Sequence, residues 1–121
     1  MPSTQSWHAE FDAKQKQLEP LVHRAVDRVR AAVAGREPKI SSSFVYGSIG
    51  IDPKHLVIWF IFATDIQKEE AEKNGLMGEL DRETRDALRE EGYPPLVLET
   101  IFVSFASEEE IKQGGGYAFF K

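Results

Sequence analysis

Three histidines, His8, His23 and His55, are the side chains in this 121-residue chain whose ordinary titration lies near neutrality. General acid–base or metal chemistry would start from them. None stands in a ligand pattern such as His-Glu-x-x-His. His8 and His23 fall on one helical stretch, roughly 22 Å apart if it is straight, too far to share an ion. His55 opens an apolar strand just after a turn. All three read as surface or boundary histidines. With no cysteine, thiolate nucleophiles, disulfides and cysteine-based zinc sites are excluded.

The other reactive residue types are equally dispersed. Asp52 and Asp65 flank the most apolar strand, one at each end, which separates them by about 33 Å and rules out a carboxylate pair. Their roles are turn former and helix cap. Ser41-Ser42-Ser43 lacks the Gly-x-Ser-x-Gly frame of a nucleophile elbow. Tyr46-Gly47-Ser48-Ile49-Gly50 lacks the Gly-x-Gly-x-x-Gly order, and no helix follows it to hold a phosphate. Gly114-Gly115-Gly116 offers bare amides for an anion, but Glu108-Glu109-Glu110 just before it would repel one. A tight chain reversal is the better reading. No residue is assigned as catalytic, metal-ligating or cofactor-binding.

The elements that position these residues are legible from periodicity. Apolar residues from Trp7 and Phe11 through Leu18, Leu21, Val22, Ala25, Val29, Ala32 and Val33 follow a helical stripe interrupted at Lys14. Pro20 makes this one kinked helix or two helices. Gly35 and Pro38 stop it. Ile40 to Ile49 alternates as a strand, and Gly50 to His55 forms a turn. Leu56 to Ala63 is eight consecutive apolar residues, a strand that needs cover on both faces. The two strands should form an antiparallel hairpin.

Thr64 or Asp65 caps a short acidic helix that breaks at Asn74-Gly75, and a longer helix follows from about Leu76 to Glu91. Gly92-Tyr93-Pro94-Pro95 ends it. Leu96 to Ala106 reads as a third strand. Ser107 and Glu110 form a capping box that opens a short helix to about Gln113, and Tyr117–Phe120 reads as a fourth strand.

The expected fold is therefore a single α+β domain over residues 1–121, with residues 1–5 disordered and the order α-β-β-α-β-α-β. A three- to four-stranded, mostly antiparallel sheet is packed by the long N-terminal helix and a crossover helix. Phe44, Tyr46, Ile101, Val103 and Phe105 form the expected core face. The opposite, mixed face carries Val45, Phe102 and half of the apolar strand; strand register decides whether Trp59 joins it. If both helices pack on the core face, the mixed face stays open as an interface.

Charge narrows the functional classes. The net charge is −5, with 29% charged residues. His8 to Lys39 is net +2, whereas Asp65 to Glu91 is net −5. Bulk nucleic-acid binding is not expected from so little concentrated positive charge. An apolar run of eight residues is far short of the roughly 20 that a membrane helix needs, and the N-terminus lacks the pattern of a signal peptide. A cytoplasmic setting without cofactor follows.

The expectation is a non-enzymatic protein-interaction or regulatory domain. It is either a homodimer joined through Val45, Trp59 and Phe102, or an acidic binder that meets a basic partner through Glu69, Glu70 and Glu72. The second form is like the small acidic immunity proteins in charge and size only. The alternative is a small-molecule-binding or enzymatic domain, with a pocket between helix 1 and the sheet using Tyr46, Trp59 and a histidine.

Overall fold

The computed structural model describes residues 18–47 and 53–115. The start of the first helical stripe, the expected disorder of residues 1–5, the first half of the Gly50–His55 turn and the strand expected at Tyr117–Phe120 lie outside the described residues; Pro53–His55 forms a 3-10 turn. Helix α1 spans residues 18–32 and passes through Pro20. It buries Leu21, Val22, Ala25, Val26 and Val29 at the i, i+1, i+4, i+5 spacing of one helical face, while His23, Arg24, Asp27 and Arg28 stay exposed.

Strand β1 (Ser42–Tyr46) pairs antiparallel with β2 (Val57–Phe62). Gly47 ends β1 with φ +120°, so close to the neighbouring backbone that a Cβ there would lie 2.0 Å from the His55 carbonyl oxygen. Helix α2 (Asp65–Lys73) is capped by Thr64, whose hydroxyl accepts from the Gln67 amide at 3.1 Å. The break falls at Asn74-Gly75, and α3 runs from Leu76 to Glu91. It buries Leu76, Leu80, Thr84, Ala87 and Leu88; the Thr84 hydroxyl is satisfied by the Leu80 carbonyl at 2.6 Å. Gly92 adopts the left-handed conformation, and the Gly92 and Tyr93 amides close a Schellman motif on Arg89 and Leu88.

Strand β3 begins later than the alternation implied, spanning Phe102–Ser107. Pro94-Pro95 opens a 3-10 turn at Pro95–Val97, and the chain then turns again up to Ile101. Arg85 of α3 holds that turn, donating to the carbonyls of Leu98 and Ile101. Leu98 and Ile101 are buried as anchors of the turn, not as strand residues. Helix α4 (Glu108–Gln113) starts on the Ser107–Glu110 capping box.

The sheet order is β1-β2-β3, and β3 lies parallel to β2. The described residues form a three-stranded sheet, within the three to four strands expected, but one of its two ladders is parallel where a mostly antiparallel sheet was expected. The parallel ladder is what a helical crossover, here α2 and α3, makes possible. Both α1 and α3 contribute to one core cluster with Ile58, Phe60 and Phe62, whose side chains share one face of β2. Arg24 and Arg28 pair with Glu90 and Glu91, and Arg36 pairs with Glu79. These pairs tie the start of α1 to the end of α3 and the reverse, so the two helices run antiparallel. Among the described residues, α1 and α3 therefore form a helical layer on one face of the sheet.

Candidate functional site

Register decides what the second face carries. Phe44 stands opposite Trp59, and Tyr46 opposite Val57; across the parallel ladder, Val57 meets Phe102 and Trp59 meets Ser104. Side chains alternate along a strand and align across partners. The face away from α1 and α3 is thus three rows of three: Tyr46, Val57, Phe102; then Phe44, Trp59, Ser104; then Ser42, Ile61, Ala106. None of the nine is charged, in a chain where more than a quarter of residues are.

Two expectations about this face change. Phe44 and Tyr46 belong to it and not to the core face, whereas Val45 stands opposite Ile58 and packs against the core. The reason lies in α1, whose Arg30 donates to Ser43 at 3.4 Å. A helix lying over β1 leaves room there for Ser43 and Val45, and the two larger rings turn outward. Sequence alternation alone favoured the rings as core because they are the larger apolar groups. Phe102 lies on the second face, as its alternation implied, and the register, left open by the sequence, puts Trp59 there too.

Burial across this face is graded. Ile61 is 6% and Ala106 0% exposed, at the end where α2 and α4 leave the sheet. Phe44 and Trp59 are half-buried and in contact with neighbours of their own; Phe44 stacks on Tyr46 with ring centres 6.3 Å apart. At the far end Tyr46 is 48% and Phe102 65% exposed. These two rings stand on the outer strands, about 10 Å apart across two strand spacings, with the smaller, half-buried Val57 between them. The row presents two exposed aromatic rings on either side of a smaller aliphatic side chain.

The acidic surface divides into paired and unpaired parts. On α3, Glu79, Glu90 and Glu91 pair with α1 or the residues after it, and Asp81 and Asp86 pair with Arg85 and Arg89. Glu108, Glu109 and Glu110 are also committed. Glu108 accepts from Ser41 at 2.7 Å, Glu109 from the Asp65 amide at 2.8 Å, and Glu110 from Lys68 and from its own cap residue Ser107. The Ser107 hydroxyl in turn donates to Asp65. This knot joins the chain before β1, the start of α2 and the end of β3. Glu69, Glu70 and Glu72 are exposed and engage no ion pair among the described residues. Glu69 and Glu72 line a depression of about 380 Å³ with Asp65, Lys68, Glu110 and Gln113.

The other candidate groups do not converge. His23 and His55 are exposed, and His8 and Asp52 lie outside the described residues. Among the described residues, no cluster of three or more His, Asp or Glu side chains is placed to hold a metal ion. Tyr46 and Trp59 lie on the face away from α1, so they line no pocket between that helix and the sheet. The depression beside the end of α1, about 200 Å³, is lined instead by Arg30, Val33, Ala34, Lys39 and Ile40. No described helix is long and apolar enough to cross a membrane. No family model, curated protein or solved structure matches the chain.

Proposed function

We propose that the chain is a non-enzymatic protein-interaction or regulatory domain that docks its partner on the uncharged face of the sheet. The observation that carries this reading is the row Tyr46–Val57–Phe102, with two aromatic rings 48% and 65% exposed on a regular sheet. Aromatic residues are the side chains that most often dominate binding energy, because they bury much area at little entropic cost. They stand here on strands, which hold them more rigidly than a loop would. The half-buried second row extends the apolar surface without adding a charge that a partner would have to desolvate.

A photoreactive phenylalanine analogue at position 102, expressed in the source cells, tests the reading. It should give one recurrent protein adduct, and the same analogue at the equally exposed Ile66 should not. Adducts at both positions alike, or at neither, would contradict a docking role for the face.

Docking of a basic partner on Glu69, Glu70 and Glu72 is the second form of the same function, supported by their exposure and lack of pairing. Exposed carboxylates contribute mainly to encounter rates, and salt screens that contribution. The aromatic row therefore ranks first.

A further inference from the structure

We infer that helix α4 is a polar latch, which opens as a unit from an otherwise intact fold and takes one wall of the acidic depression with it. Its sequence, Glu-Glu-Glu-Ile-Lys-Gln, carries a single apolar residue. Ile111 is half-buried and stands outside the core cluster and the side chains packed on it, and no residue of α4 is buried. A helix of six residues is too short to hold itself in water, so α4 owes its shape to what fixes it from outside.

Among the described residues, what fixes it is polar. Three consecutive glutamates reach three different segments: Glu108 accepts from the Ser41 hydroxyl before β1, Glu109 from the Asp65 amide at the start of α2, and Glu110 from Lys68. Ser41, Asp65, Glu108 and Glu109 are exposed, and the Lys68 and Glu110 side chains keep 32% and 28% of their surface. Water can replace each of these bonds, and salt screens the ion pair, so each holds α4 only weakly. The neighbouring elements differ. Helices α2 and α3 bury Ala71, Leu76, Leu80 and Leu88 in the core cluster, and β3 is paired with β2 along its whole length. Local opening is confined to the part of a fold with the least buried apolar contact, and here that part begins after the buried Ser107.

Opening changes α2 as well. The Asp65 amide is the first of that helix and has no acceptor within it; the Glu109 carboxylate supplies one. Lys68 is held by Glu110 while α4 is docked, and Glu72, one turn further along α2, engages no ion pair among the described residues. Release of α4 withdraws Glu110 and Gln113 from the depression of about 380 Å³ that they line with Asp65, Lys68, Glu69 and Glu72. It also frees Lys68 to neutralise Glu72 at the i, i+4 spacing of a helical ion pair. The latch therefore sets how much unneutralised charge α2 presents.

Native-state hydrogen exchange of the full chain, followed amide by amide by NMR, reads this directly. The amides of Lys112, Gln113 and Gly114 and that of Asp65 should share one opening, with protection factors within about threefold of each other and at least about a hundredfold below those of Phe60 and Ile61 in β2. Raising salt from about 20 to 500 mM should lower the protection of these four amides about three- to tenfold, and Lys68→Met should do the same at low salt. Lys73→Met, which removes the same charge from the end of α2, should leave them within about twofold. Protection of the α4 amides equal to that of β2 would overturn the inference, because α4 would then open only when the whole domain unfolds. An Asp65 amide that does not follow the α4 amides through salt and Lys68→Met would overturn it too, because the helix would then fray from its C-terminal end without releasing α2.

Discussion

Phe102→Lys and Phe105→Lys place the same charge on the same strand, three residues apart, and the two outcomes should differ sharply. An odd spacing puts the rings on opposite faces of the sheet. Phe102 is 65% exposed, so about a third of the ~200 Å² of a phenylalanine is buried. At ~25 cal/mol per Å² that burial contributes at most about 2 kcal/mol, and the aliphatic stem of lysine recovers part of it. The expected loss is about 1 kcal/mol. Phe105 packs against the core and stacks on the fully buried Phe60, with ring centres 6.2 Å apart. Its replacement loses about 2–3 kcal/mol of burial, up to about 1.5 kcal/mol of ring contact, and seats an ammonium beside an apolar core. The expected loss is at least 4 kcal/mol, against a whole-domain stability of about 5–15 kcal/mol. Thermal melts should place Phe102→Lys within about 5 °C of wild type and Phe105→Lys at least about 15 °C below it. Equal destabilisation by the two would refute the assignment of faces.

Two further outcomes check the frame that holds the face. Arg85→Met should lose about 2–4 kcal/mol by urea denaturation, because the carbonyls of Leu98 and Ile101 lose a charged donor at the turn that delivers β3. Wild-type stability would show that the turn holds without it. Gly47→Ala should cost at least about 2 kcal/mol by the same assay, since φ is +120° and the new Cβ would meet the His55 carbonyl oxygen; a neutral result would mean that the hairpin end is not so tightly drawn.

The parts of the fold legible in the sequence are those set by one or two neighbouring residues. Thr64 and Ser107 cap because a hydroxyl reaches an amide three residues on, and Asn74-Gly75 and Gly92 end helices through their own backbone freedom. The burial of the β2 core residues Ile58, Phe60 and Phe62 was legible for the same reason, as part of an unbroken apolar run. What escaped depends on contacts distant in sequence. Ser42-Ser43-Phe44-Val45-Tyr46 alternates equally well in either orientation, and the position of α1 over Ser43 decides which side faces the core. The connection from β2 to β3 is long enough for either strand direction, so the parallel ladder had no local signature. Leu96 to Ile101 alternates like a strand, but Pro94-Pro95 sets a 3-10 turn whose carbonyls Arg85 holds. Of the residues on the second face, Phe102 was placed there by strand alternation, Trp59 and Val57 awaited the register of the apolar strand, and Tyr46 was assigned to the core because a large ring reads first as core.

Amide spectra of the isotopically labelled chain, recorded alone and in unlabelled extract of its source cells, test the docking claim most directly, because they report which residues enter an interface. In the extract, the resonances of Tyr46, Val57 and Phe102 should shift or broaden together, while those of Ile66, Glu69 and Glu72 stay fixed. Shifts confined to Glu69, Glu70 and Glu72, with the sheet row unmoved, would contradict the account and transfer the interface to the acidic surface of α2.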